Sequence, residues 1–306
     1  MEPRIWLIGG PTASGKTAIA LRLAQEIGGE IVNADSIQLY GDLTILSARP
    51  TPHEMAQAPH HLFGAADGAE AWSVGRWLRA ALPLITEIQA RGRSPILVGG
   101  TGLYFRSLTD GLADIPAAAP AVRIRVEAEF EALGETTFRA RLAEVDPAAA
   151  ARIAPADRQR LVRAWQVYLS AGRALSDLQA ETAAPLGPEA WRGVVVEPPR
   201  EALYARCDVR LAAMFEAGAV EEVSALLARR LDPALPVMKA LGLREIAAWQ
   251  AGEMTRHEAL AAAQQETRRY AKRQATWFRN QTPDWPRVTA TEPEAQWGQF
   301  LALGAP

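Results

Sequence analysis

The sequence predicts an α/β protein: a parallel sheet flanked by helices, with an inserted all-helical domain. Three observations carry this expectation. Short apolar runs alternate with segments of helical periodicity in the first third of the chain. A glycine-rich loop separates the first apolar run from the first helical segment. Between residues 113 and 188 the strand-like runs stop, and helical segments follow one another instead.

The first run, Arg4-Ile5-Trp6-Leu7-Ile8-Gly9, leads into Gly10-Pro11-Thr12-Ala13-Ser14-Gly15-Lys16-Thr17, and good helix formers follow. The loop fits G-x-x-x-x-G-K-[ST] in its proper strand–loop–helix context, so the fold expected is P-loop NTPase-like. Backbone N–H groups of such a loop and of the helix N-terminus point at an anion. Lys16 adds a mobile cation, and the Thr17 hydroxyl is a ligand for Mg²⁺. The loop alone does not say whether the anion is ATP or another phosphate.

A second run, residues 30–34, ends at Asp35-Ser36-Ile37-Gln38, where open α/β sheets place their ligands. Residues 50–59 are proline-rich and polar and read as loop. Residues 73–90 carry apolar side chains at helical spacing. Residues 95–100 form a third strand, fully apolar as a buried parallel strand should be. Residues 113–120 read as an alanine- and proline-rich connector. Helices are expected at 122–133, 136–144, 147–152 and 157–169, followed by a link at 183–188. A β-branched strand at 193–198 resumes the core. The division is therefore a core of residues 1–112 and 189–306, with basic C-terminal helices, and a helical insertion at 113–188 placed to act as a lid or clamp. From residue 200 the chain is mostly helical, with segments at 201–217, 219–230, from 238 onward and 255–279.

Composition bounds the function. The formal net charge is −2 over 306 residues, so any nucleic-acid contact needs a local basic face. The single cysteine, Cys207, makes no internal disulfide, which suits a reducing cytoplasm. The four histidines have no helical metal-ligand spacing. No apolar run reaches the length of a membrane span. The first strand begins almost at once and leaves no room for a signal peptide.

Four constellations carry chemistry. Asp35 suits a magnesium-bound water, general-base work on an acceptor, or a helix cap. Gly99-Gly100-Thr101-Gly102 ends the third strand in glycines and a hydroxyl, where a P-loop hydrolase often has an acid; the glycines permit close approach to a ligand or simply a tight turn. Arg268, Arg269, Lys272, Arg273 and Arg279 interleave with Tyr270, Trp277 and Phe278. That pattern suits phosphates and unpaired RNA bases, or a solvated helix face over a core stripe. Arg206 and Arg210 share a helix face and suit a diphosphate or surface salt bridges.

Taken together, the segments resemble the tRNA dimethylallyltransferase family, also called tRNA isopentenyltransferases. The matching stretches are GPTASGKT at 10–17, NADSIQLY at 33–40, ILVGGTGLYFRSL at 96–108, DRQRLVRAWQVYLSAG at 157–172, the 238–245 stretch, and ETRRYAKRQATWFRNQ at 266–281. They run over nearly the whole chain in the family's order. The resemblance implies transfer of a dimethylallyl group from dimethylallyl diphosphate to the exocyclic amine of the adenosine 3′ of the anticodon. It implies Asp35 as general base, Thr101 as a hydroxyl near the reacting centre, and residues 10–17 on the diphosphate with Thr17 on Mg²⁺. Arg210, with Arg206 beside it, is placed on the diphosphate. Contacts to the tRNA anticodon stem-loop are implied for Asp35, Ser36, Ile37, Gln38, Thr101, Arg123, Gln159, Arg160, Leu161, Val162, Arg163, Lys239, Arg244, Lys272, Arg273, Trp277 and Arg279. The bacterial type is expected, since no cysteine–histidine finger follows the core, and a cytoplasmic monomer is expected beside it. The segment Ile45-Leu46-Ser47-Ala48-Arg49-Pro50 departs from the family's I-G-T-A-K-P. The rival readings are a small-molecule kinase and a nucleotide-gated RNA-binding protein.

Overall fold

The computed structural model describes residues 4–113, 115 and 118–304, so positions 114, 116 and 117 of the expected connector lie outside the described residues. The chain divides into two compact units, Met1–Arg106 with Leu186–Pro306, and Ser107–Pro185.

The first unit is built on a six-stranded sheet. In chain order come β1 (Ile5–Gly9), α1 (Lys16–Ile27), β2 (Glu30–Asn33), α2 (Pro52–Met55), β3 (His60–His61), α3 (Val74–Ala90), β4 (Pro95–Gly99) and α4 (Gly102–Thr109). The second unit holds α5 (Pro120–Val145), α6 (Pro147–Arg152), α7 (Arg158–Ala171) and α8 (Leu175–Ala180). The first unit then resumes with β5 (Trp191–Val196), α9 (Arg200–Glu216), α10 (Ala219–Ala228), α11 (Leu243–Gln250), α12 (Arg256–Gln281), β6 (Arg287–Val288) and α13 (Pro293–Ala302). The strand order is β3-β2-β4-β1-β5-β6, and every pairing is parallel. This is the P-loop NTPase-like arrangement. All strands therefore deliver their C-terminal ends to one edge, the edge where ligands bind in such sheets. Leu7, Ile8, Ile31, Val32, Ile96 and Leu97 are almost fully buried, as strands covered on both faces require.

The sheet's first layer of packing joins Trp6, Ile8, Ile19, Leu23, Ile31, Ile96, Val98, Val194 and Val196 to Trp297 and Phe300 of α13. Helix α12 packs on α9 and α11. The second unit has its own core of Val126, Phe138, Leu142, Leu161, Val162 and Trp165. No described helix is long and apolar enough to cross a membrane.

The differences from expectation are short elements. Residues 52–55 form a helical turn inside the expected loop, closed by a capping box between Thr51 and Glu54. β3 is two residues long, below any periodicity, so the apolar run at 95 is the fourth strand. β6, α8 and α13 are further additions. α5 is two stretches meeting at Gly134, whose φ of 70° breaks the helix between the expected segments. The stretch from Met238 begins as a 3-10 turn, Pro236–Lys239, before α11.

Candidate active site

The loop at residues 10–17 leaves β1 and turns into α1. Gly15 takes φ 101° and gives α1 no side-chain cap, so the first N–H groups of the helix have no side-chain partner. The Lys16 ammonium donates back to the Pro11 carbonyl at 3.1 Å. Burial pushes it down to about 8, against the opposing pull of Asp35 and with Arg210 adding to the lowering. The Ser14 hydroxyl is buried and has no hydrogen-bond partner among the described residues.

The basic pair of α9 reaches this loop. The Arg210 guanidinium donates to the Thr12 hydroxyl. Burial holds Arg210 below the usual guanidinium range while Cys207 and Asp35 pull the other way. Arg206 donates to the Thr291 carbonyl and, at 3.5 Å, to the Ser14 carbonyl. The surface salt bridge belongs instead to Asp208, which pairs with Arg268. Cys207 is buried between them, its Sγ 3.9 Å from the Thr12 carbonyl.

Asp35 follows β2 at the same edge. Its Oδ1 accepts from the Ile37 N–H at 3.0 Å, and the Asn33 side chain clamps its backbone on both sides, at 2.8 and 2.9 Å. Asp35 thus caps a turn and keeps one carboxylate oxygen beyond that bond. Thr101 stands across from it: its Oγ1 accepts from the Ser36 N–H at 3.0 Å and lies 3.3 Å from the Ser36 hydroxyl. Tyr104 and Tyr270 border Asp35. Burial pushes both phenols well up, and the carboxylate adds to the effect, so both stay neutral donors.

One residue of the KRQ segment ties these parts together. Gln274, buried on α12, accepts from the Thr12 N–H at 2.9 Å and donates to the Gly100 carbonyl at 2.9 Å. A Cβ on Gly100 would lie 2.1 Å from the Gln274 amide and 3.4 Å from the Asp35 Oδ2. The signal was present in the KRQ segment, but a glutamine directly after Lys272 and Arg273 reads as polar surface until its helix face is known.

The remaining expected contacts fall into distinct settings. Lys272 and Arg273 are exposed on α12, with Arg273 over the Tyr270 ring. Trp277 is half-buried; its ring packs onto Gly102 and stands edge-on to Phe278, so it supports the site's wall rather than offering an open stacking face. Arg279 is paired with Glu197 at 2.9 Å. Lys239 and Arg244 are exposed, and Ile37 is half-buried. Gln38 donates to the Ser47 and Ala48 carbonyls. In the second unit Arg123, Gln159 and Arg160 are exposed. Burial and the nearby Arg123 lower Arg163. Leu161 and Val162 belong to that unit's core and have no side-chain surface for a nucleic acid.

Among the described residues no three His, Cys, Asp or Glu side chains converge on a metal position. The Thr17 side chain stands in the first turn of α1.

Comparison with known proteins meets this geometry. The IPP transferase family pattern matches residues 38–281, and the isopentenyl transferase pattern matches residues 3–61. A tRNA dimethylallyltransferase of Phenylobacterium zucineum is 64% identical over 99% of this chain and 98% of its own. The chain belongs to the tRNA dimethylallyltransferase family. A second member, from Caulobacter sp. strain K31, is 57% identical over 95% of this chain and 94% of its own. The solved tRNA isopentenylpyrophosphate transferase of Bacillus halodurans aligns with a TM-score of 0.70 at 32% identity, covering 99% of this chain and 96% of that one. A eukaryotic dimethylallyltransferase solved acting on tRNA aligns at a TM-score of 0.83 and 26% identity, over 100% of this chain and 78% of that one. In family terms, the loop, Asp35, Thr101 and Arg210 share one edge of one sheet, and α12 borders them all.

Proposed function

We propose that this chain transfers a dimethylallyl group from dimethylallyl diphosphate to the exocyclic amine of the adenosine 3′ of the anticodon in tRNA, releasing diphosphate. The observation that carries the reading is the pairing of an anion cradle with a carboxylate at one sheet edge, with no acid at the end of β4. That edge suits a departing diphosphate and an incoming amine better than a hydrolytic water.

An adenine amine is a poor nucleophile, because its lone pair is delocalised into the ring. As its nitrogen bonds to the allylic carbon, the carbon–oxygen bond to diphosphate breaks and the amine loses a proton. Asp35 takes that proton, a contribution typically worth about 10²- to 10⁴-fold. Its backbone clamp through Asn33 fixes where the carboxylate points. Negative charge gathers on the leaving diphosphate. The free N–H groups at the start of α1, Lys16 and Arg210 are placed to receive it. Thr17 would hold Mg²⁺, which when bound supplies further charge neutralisation at the phosphates. Thr101, tied to the Asp35–Ser36 turn, sits on the acceptor's side. Lys272, Arg273, Lys239 and Arg244 supply cations for the anticodon stem-loop, and the second unit adds the cations of Arg123, Arg160 and Arg163 and the neutral amide of Gln159. The protein acts as a cytoplasmic monomer.

The test is to incubate the chain with undermodified tRNA, Mg²⁺ and either dimethylallyl diphosphate or ATP. The expected result is the mass of one dimethylallyl group on an anticodon-loop adenosine, only with the prenyl donor. Phosphate transfer from ATP would turn the assignment toward a kinase.

A further inference from the structure

The phosphate loop is held from outside by a side chain that no motif contains. Gln296, on α13, is almost fully buried and donates through Nε2 to the Ser14 carbonyl at 2.8 Å and to the Ala290 carbonyl at 2.9 Å. Its Oε1 lies 2.3 Å from where a Cβ on Gly15 would stand. Residue 296 lies beyond both matched family segments, which end at residues 281 and 61.

The consequence follows from peptide geometry. A trans peptide is planar, and its C=O and N–H point in opposite directions. Holding the Ser14 oxygen against Gln296 therefore aims the Gly15 N–H the other way, toward the inside of the loop. If that peptide flipped, a carbonyl would face the anion in place of a donor. Glycine at 15, with φ 101°, is the residue for which such a flip meets the least steric resistance, so the loop needs an external hold there. Arg206 touches the same carbonyl only at 3.5 Å. A neutral amide is the suitable clamp. It donates to the carbonyl without adding a cation that competes with Lys16, and without an anion that repels the ligand.

We infer that Gln296 is a positioning residue for the leaving group: it fixes the Ser14–Gly15 peptide so that the Gly15 N–H faces the diphosphate. The inference rests on the diphosphate reading of the loop. It makes α13 part of the active-site assembly as well as part of the core.

Three full-length proteins test it: wild type, Gln296→Met, and Trp297→Phe. The last disturbs α13's stacking on Phe300 without touching Ser14. Inorganic diphosphate is titrated by calorimetry, KM is measured for dimethylallyl diphosphate and for tRNA, and amide exchange is followed in the peptide covering residues 10–17. For Gln296→Met we expect diphosphate affinity to fall about five- to tenfold, KM for the prenyl donor to rise by a similar factor, KM for tRNA to hold, and exchange in the loop peptide to quicken. Trp297→Phe lowers the melting temperature and changes none of these. Undiminished diphosphate binding in Gln296→Met overturns the inference, as does an equal loss in Trp297→Phe. If even wild type binds no diphosphate, the diphosphate reading falls. Loop exchange then decides the clamp itself, and unchanged exchange in Gln296→Met removes it.

Discussion

The two ends of the sheet treat buried charge in opposite ways. At the N-terminal end of β2 the Glu30 carboxylate is almost fully buried and saturated with partners: His61 at 2.7 Å, Arg91 at 2.7 Å and Arg93 at 3.7 Å. Burial alone would raise Glu30, but hydrogen bonds from Arg91 and His61 outweigh it and leave the carboxyl below its usual range. At the C-terminal end Lys16, Arg210 and Asp35 influence one another, yet among the described residues none of them makes a salt bridge. They are held by neutral partners instead: the Pro11 carbonyl, the Thr12 hydroxyl and the Ile37 N–H. A paired buried charge is spent on structure. A charge held in place by neutral groups remains available to a ligand.

That contrast can be broken by substitution at either end. The largest effect is expected for Asp35→Ala, which should lower single-turnover prenyl transfer by about two orders of magnitude or more while tRNA affinity stays near wild type. Parallel loss of both would make Asp35 a binding group and end the general-base assignment.

Lys16 comes next. Its lowered value lies near about 8, and a bound diphosphate favours its charged form. Affinity for the prenyl donor is therefore full below that pH and declines as pH rises through it. A series of KM measurements from about pH 7 to pH 9.5 should show KM climbing toward tenfold per unit above about pH 8, and Lys16→Met should flatten the profile. A flat wild-type profile would mean that the ammonium does not meet the donor.

At the other end, Glu30→Gln should cost about 1–3 kcal/mol of stability in urea unfolding and leave kcat/KM unchanged. The sign of its pH dependence is fixed by the lowered carboxyl. Glu30's contribution is present above the ordinary glutamate range and is lost as pH falls through its depressed value. A change in kcat/KM would blur the division between the two ends. The smallest effect is expected for Arg273→Ala, exposed on α12, which should weaken tRNA binding and reduce the slope of log K against log salt by about 0.7 to 0.9. Filter binding at several salt concentrations measures it, and an unaltered slope would take Arg273 off the phosphates.

Legibility from the sequence followed the same line of division. The loop, the Asp35 turn and the Gly99–Thr101 strand end were readable because each is a local pattern attached to a local element. Gln274 and Gln296 were not, since their work depends on which face of a distant helix meets the loop: Thr12 and Gln274 are 262 positions apart, and Ser14 and Gln296 are 282. For Trp277 the spacing among cations leaves open an RNA-stacking face or a core stripe. The missing side chain of Gly102 is what draws the ring inward. β3 and β6, at two residues each, carry too few positions for alternation to register, and they form only because β2 and β5 offer open edges. Leu161 and Val162 lie within a matching segment, yet the 3.6-residue repeat of α7 turns them to the core while Gln159 and Arg160 face solvent.

One anchor bears on how the protein tolerates change over time. The turn that departs from the family's pattern is fastened by Glu222 of α10, whose carboxylate accepts from the backbone N–H groups of Thr44, Ile45 and Leu46. The Ile45 and Leu46 side chains rest against Gly218 and Gly242 at the starts of α10 and α11. The fastening itself uses main chain, while the side chains of the turn pack against its neighbours. The Ser47 and Ala48 carbonyls of the same turn meet the Gln38 amide. A change at Glu222 would thus release three N–H groups of this turn at once, although Glu222 lies far away in the chain.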